Sequence, residues 1–124
     1  MELLQYSDVH SSGLILAVNS NAHSTLYGPD QNPRGMEFEE LLFRHGLHVE
    51  NVGEVPTFQT SLRLSHIDVT LTRNLPVAIS GWRVDTAYNG SDHNSVLFEV
   101  GLGFELFFSP ALPHRLPRPH LYDD

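Results

Sequence analysis

The sequence predicts an α/β domain with one main helix packed on a mixed or antiparallel sheet, and three observations carry that reading. Residues 14–18, Leu-Ile-Leu-Ala-Val, form an unbroken apolar run of strand length. Residues 34–45 interleave Met36, Phe38, Leu41, Leu42 and Phe43 with Glu37, Glu39, Glu40 and Arg44, between Pro33 and Gly46. Residues 66–72, 79–86 and 96–100 are short segments rich in β-branched or aromatic residues, with turn residues between them.

Taken in order, residues 2–9 place Leu3, Leu4 and Tyr6 on one side and read as a short helix, which Ser11-Ser12-Gly13 breaks. The run at 14–18 reads as a strand buried on both faces, because nothing polar alternates within it. It leads into a polar loop, 19–33, in which Tyr27-Gly28-Pro29-Asp30 supplies turn chemistry. The helix follows: proline suits its first turn, acidic residues its first half, and glycine its end. Residues 47–49 make a short strand, and Gly53 and Pro56 a turn region; Thr57-Phe58 is a strand tip. Residues 66–72 alternate and read as a strand, as do 79–86, where Trp82 and Val84 alternate. After the Asn89-Gly90 turn comes a strand at 96–100. Beyond it, 101–124 holds the apolar cluster 104–108 and then a Pro- and His-rich tail, expected to be irregular.

With 124 residues the chain is one domain by size, long enough to bury about two-thirds of its unfolded surface. It has no cysteine, which excludes disulfides, thiolate zinc sites and thiol nucleophiles. No apolar run approaches the roughly 18 residues that cross a bilayer, and residues 1–6 lack a basic-then-apolar secretory pattern. The expectation is a protein that meets no membrane and is intracellular. Net charge is −8 and all seven basic residues are arginine. Tight DNA binders draw most of their affinity from Lys and Arg on phosphates, so this balance disfavours strong stand-alone DNA binding. Acidic residues around a divalent cation would account for part of the charge; a solvated acidic surface on Glu37, Glu39, Glu40 and the terminal aspartates accounts for most of it.

Three polar signatures lie at or beside strands: 19–24 (Asn-Ser-Asn-Ala-His-Ser), 65–70 (Ser-His-Ile-Asp-Val-Thr) and 91–93 (Ser-Asp-His). Delivered to one end of a sheet, they gather an amide, carboxylates and an Asp-His pair, a combination suited to metal-assisted attack on a phosphodiester. Imidazole exchanges protons near neutrality, and a carboxylate partner is the usual means of aiming it. Alone, each signature has a plainer explanation: an Asp-His contact at a turn, a strand-end Asp capping a turn, His23 as a loop hydrogen-bonding residue more than a ligand. Trp82 reads as core packing before base stacking, Arg34 as a local residue of the helix start before a phosphate contact, and His114 and His120 as solvated.

The set in this order, together with Asn-Pro-Arg-Gly at 32–35 and Pro-Thr-Phe at 56–58, resembles the endonuclease/exonuclease/phosphatase superfamily. Within it the motifs are most similar to the apurinic-type endonuclease domain of non-LTR retrotransposons, which nicks target DNA before reverse transcription. The resemblance covers residues 2–100 and implies the C-terminal half of that domain, a partial sandwich. It implies that Asn21 holds the scissile phosphate or a metal-linked water, that Asn19 and Asp92 belong to a Mg²⁺ (or Mn²⁺) site if the chain is active, that His93 contacts the reacting phosphate as acid/base or transition-state stabiliser, and that Asp68 orients His93. DNA is the implied partner, and a nuclear location follows if the chain acts on it.

Two departures weigh on activity. The family motif normally begins with Asp where this chain has Asn19, a neutral amide that holds cations and activates water less well. The family domain is also about twice as long, and its other half carries a metal-binding Glu. Three readings follow: a metal-dependent DNA endonuclease, impaired here; a non-catalytic remnant or domesticated interaction module; and, less favoured, a phosphatase or phosphodiesterase of small molecules. A sheet without its other half is expected to expose an apolar face, inviting self-association or another chain.

Overall fold

The computed structural model describes residues 13–101 and the backbone of a strand at Phe104–Phe108. The helix expected at 2–9 and the Pro/His-rich tail lie outside the described residues. The elements run β1 (Leu14–Asn19), α1 (Pro33–His45), β2 (His48–Val49), β3 (Phe58–Gln59), β4 (Leu64–Ser65), β5 (Asp68–Arg73), β6 (Ile79–Asp85), β7 (Ser95–Val100) and β8 (Phe104–Phe108).

The class is α/β with one main helix, and every described strand pair is antiparallel. The strands divide more finely than one sheet: β1-β5-β2, the hairpin β3-β4, and β6-β7-β8. Regular pairing also continues past residue 100, since β8 pairs along β7 from Phe104 opposite Val100 to Phe108 opposite Val96.

Period-two alternation along β1 and β5 sorts side chains to two cores. On one face Leu14, Leu16, Val18, Val69 and Leu71 pack with Tyr27, Phe38, Leu42 and Leu47 beneath α1. On the other, Ile15 meets Trp82, Val96 and Phe98 of the second sheet. The indole Nε1–H of Trp82 donates to Thr70 Oγ1 at 3.0 Å, tying β6 to β5 across this layer. Trp82 is therefore core, with its one polar atom satisfied.

Strand β5 sits between β1 and β2, and all six of its residues are buried. β1, expected to be buried on both faces, is only partly buried at its first five residues. The reason is its position: it is covered above and below but stands at a sheet edge among the described residues. The exposed apolar sheet face expected from the sequence is not found on β6, whose exposed residues are Ser80, Gly81, Arg83 and Asp85. From β6 and β7, Trp82, Val96 and Phe98 point inward to the core between the sheets.

The start of α1 explains the Asn-Pro-Arg-Gly motif. Asn32 caps the helix, its Oδ1 accepting from Gly35 N–H at 2.7 Å and from His23 N–H at 3.1 Å. Gly35 presses against the loop after β1: a Cβ built there would lie 1.7 Å from the His23 carbonyl oxygen. Elsewhere in a helix Gly→Ala stabilises by about 1 kcal/mol. Here Gly35→Ala is expected to destabilise by about 3 kcal/mol or more, because backbone must move. Urea unfolding checks the sign; a more stable variant would refute the packing.

Candidate active site

The site forms where β5 begins, beside the end of β1. Asp68 is the first residue of β5 and lies directly opposite Asn19 in the antiparallel register. Its side chain is 2% exposed. His93 Nδ1–H donates to Asp68 Oδ2 at 2.7 Å, and the imidazole remains 17% exposed. This pair joins positions 25 residues apart. It fixes one ring nitrogen and leaves Nε2 as the nitrogen available for other chemistry.

Three arrangements hold the pair in place. First, the Thr57 Oγ1, 1% exposed as a residue, accepts the backbone N–H groups of Ile67 at 3.1 Å and Asp68 at 3.0 Å. Second, Asn51 acts as a substitute strand partner where β2 ends: its Nδ2 donates to Asp68 O and its Oδ1 accepts from Thr70 N–H. Third, the 89–94 turn is braced internally and against β3. Ser91 N–H donates to Asn89 Oδ1, His93 N–H to Ser91 Oγ, and Asn89 Nδ2 to His93 O. Gln59 N–H donates to Asp92 O and Asn94 N–H to Thr57 O, so Thr57 and its neighbours position both members of the pair. The Phe58 ring stands edge-on to the imidazole at 5.0 Å, with the Arg63 guanidinium over that ring at 5.4 Å.

Burial pushes the Asp68 carboxyl above its ordinary value. The hydrogen bond from His93 and the attraction of its charge pull the other way without overcoming burial. The Thr57 hydroxyl adds a smaller pull, although Asp68 Oδ1 has no hydrogen bond of acceptable geometry.

The other sequence-derived candidates are arranged more loosely. Asn19 is exposed, and its Oδ1 accepts the backbone N–H of Asn21 at 2.9 Å. Asn21 is exposed in the left-handed region, φ 49°, which asparagine tolerates. Arg34 reaches back from α1 to the Asn21 carbonyl at 3.4 Å, a local structural contact. Asp92 is exposed on its turn. His23 pairs with Asp30 at 3.0 Å within the loop, a hydrogen-bonding residue there. Beside Asp92 opens a polar groove of about 800 Å³ between segments 59–61 and 86–89 and residues Ser91, Asp92 and Asn94, with Tyr88 almost fully exposed at its wall; His93 does not line it.

As a cation site the described residues are a poor fit. No three His, Asp or Glu among them come together as a metal-ligating group. Asn19 and Asp92 offer one anionic carboxylate between them, and the Asn19 oxygen already accepts a hydrogen bond. Mg²⁺ calls for several hard oxygen donors in octahedral geometry.

Thr57 and Asn51 were not singled out from the sequence. Pro-Thr-Phe marked the right stretch, but a hydroxyl that accepts two strand amides is invisible without the pairing. Two outcomes follow. Thr57→Val leaves two buried N–H groups without acceptors and is expected to cost about 2–4 kcal/mol, with Thr57→Ser restoring most of it. Burial makes Asp68 bind its proton more tightly folded than unfolded, so its ionised form costs stability in full above the raised native value, and that cost fades as pH falls from there and is gone below the ordinary unfolded value. Asp68→Asn, which keeps an acceptor for His93, is therefore expected to be more stable than the parent at neutral pH. Its advantage should shrink as pH falls through the native value; urea unfolding across that range checks this, and a growing advantage would contradict it.

Comparison with known proteins accords with this geometry. The profile of a family described as endonuclease-reverse transcriptase matches residues 2–97. Among solved structures, the endonuclease domain of TRAS1, a telomere-specific non-LTR retrotransposon, superposes with a TM-score of 0.66 at 35% sequence identity. That match covers 82% of this chain and 49% of the other, so the chain spans about half the length of that domain. No curated protein matches. The family match over most of the chain and the structural match to a retrotransposon endonuclease lead to one conclusion: this chain belongs to the endonuclease-reverse transcriptase family and has a retrotransposon endonuclease-like fold.

Proposed function

We propose that this chain carries the imidazole-bearing half of a site for DNA phosphodiester hydrolysis, and that its activity as given is low. The observation that supports the reading most is the buried Asp68 carboxylate held 2.7 Å from His93 Nδ1, in a chain of an endonuclease family. Asp68 keeps Nδ1 protonated and aims the ring. Nε2 then contacts the reacting phosphate: as imidazolium it donates to an oxygen on which negative charge builds during attack. Asn21, on its exposed turn, offers an amide N–H to the same phosphate. The strand-bearing DNA runs along the polar groove beside Asp92, with Tyr88 available at its wall.

Two features favour low activity. Asn19 places a neutral amide opposite Asp68, where a carboxylate would hold a cation or accept a proton. Asn19 and Asp92 also need further hard donors to retain Mg²⁺ or Mn²⁺. A second reading, a non-catalytic interaction module descended from a nuclease, draws on those same two features.

Nicking of supercoiled plasmid in Mg²⁺ and in Mn²⁺ tests the proposal, with the parent beside Asn19→Asp and His93→Ala. The expected result is weak nicking that Asn19→Asp raises and His93→Ala lowers by at least about 100-fold. Equal background nicking from all three favours the interaction-module reading.

A further inference from the structure

The side chain of Asn89 ties the turn that carries Asp92 and His93 into a closed loop. Its Oδ1 accepts the backbone N–H of Ser91 at 2.9 Å, the bond of an Asx turn. Its Nδ2 donates to the His93 carbonyl oxygen and to Ser95 Oγ, each at 3.0 Å. Both amide hydrogens and the carbonyl oxygen are therefore in use. Ser95 is the first residue of β7, so one side chain fastens the turn to the strand that follows it. The donor is what matters at His93: an oxygen in place of Nδ2 would set two acceptors against each other.

Asn89 also stands in the context that makes asparagine chemically labile. Gly90 follows it, and no other asparagine in the chain precedes a glycine. Without a side chain, Gly90 leaves its backbone nitrogen unhindered, and it adopts the left-handed region at φ 80°. Asn89 lines the polar groove beside Asp92, so water reaches it. The Gly90 nitrogen loses its proton to water and attacks Asn89 Cγ. A C–N bond forms, the Cγ–Nδ2 bond breaks, and Nδ2 takes up a proton and leaves as ammonia. Water then opens the resulting succinimide at either carbonyl, giving isoaspartate or aspartate. In the folded turn Nδ2 must first give up both of its acceptors, so the reaction waits on local opening.

We propose that Asn89–Gly90 is a modification site shielded by the folded turn, and that its conversion irreversibly unlatches the segment carrying His93. Either product replaces the amide donor by an anionic oxygen, which cannot bond the His93 carbonyl. Isoaspartate also inserts an extra methylene into the backbone before Gly90, which moves the acceptor of the Ser91 N–H. The new charge falls on the groove wall that already holds Asp92. The inference rests on the bonding of this turn, not on whether the chain cleaves DNA.

The test ages the full chain in warm neutral buffer, folded and in guanidinium chloride, and maps it by mass spectrometry with fragmentation that separates isoaspartate from aspartate. In guanidinium chloride Asn89 should convert ahead of every other asparagine. In the folded chain its conversion should be at least about tenfold slower. Amide exchange in the converted chain should quicken at least about tenfold at Ser91 and His93, whose N–H groups are bonded within the turn, while β5 changes little. Asn89→Asp makes one product directly and should show the faster exchange at His93 without ageing. Another asparagine converting first in guanidinium chloride overturns the site, and equal rates folded and unfolded overturn the shielding. A converted chain that keeps the parent's exchange at Ser91 and His93 overturns the latch. None of these readouts depends on nicking, so a failed latch and a failed nuclease reading are distinguishable.

Discussion

β5 is the strand on which everything else is built. It has a neighbour on each side, a helix-side core under one face and the second sheet against the other, and each of its six residues is buried. A polar residue at its first position must therefore be satisfied from within the protein or bear a cost of about 1–3 kcal/mol. Asp68 occupies that position. Its backbone is held by Thr57 and Asn51 and one carboxylate oxygen by His93, while the other oxygen has no hydrogen bond. The fold tolerates a buried, incompletely satisfied carboxylate at the point where β1, β5 and the 89–94 turn converge. Packing alone would be better served by an apolar residue there.

The same strand explains the division of labour among the loops. The hairpin β3-β4 serves as a clamp: through Thr57 it reaches β5, and through the backbone of Thr57 and Gln59 it reaches the turn that carries Asp92 and His93. The loop after β1 is locked instead to the start of α1 by the Asn32 cap and the close approach of Gly35. Asn19 and Asn21 thus hang from the helix side of the molecule, whereas His93 hangs from the hairpin side. The register of β1 with β5 sets Asn19 opposite Asp68, the partner of His93.

Much of this was legible in the sequence. The amphipathic stretch at 34–45 and its Pro and Gly boundaries give α1 to within a residue, because helix periodicity and capping are local. The alternating segments give β5, β6 and β7 for the same reason. The family resemblance brought Asp68 and His93 together across 25 residues, which no local pattern could do. What escaped was non-local. The apolar run at 14–18 looks fully buried because its composition is that of an interior strand; its partial exposure depends on a neighbour that sequence periodicity cannot register. The split into two three-stranded sheets and a separate hairpin depends on which strands share hydrogen bonds, and β4 is too short, at two residues, to alternate. Thr57 looks like any strand-tip threonine until the β5 amides are placed against it.

The account depends most on Asp68 fixing the imidazole through Nδ1, and the nitrogen chemical shifts of the His93 ring report that directly. At a pH where the ring is neutral, long-range proton–nitrogen correlation should find the proton on Nδ1 and an unprotonated Nε2. Asp68→Ala should shift the balance toward the Nε2–H form, the one imidazole prefers without a partner. A parent ring already in the Nε2–H form, or one indifferent to the loss of Asp68, would contradict the pairing on which the site is built.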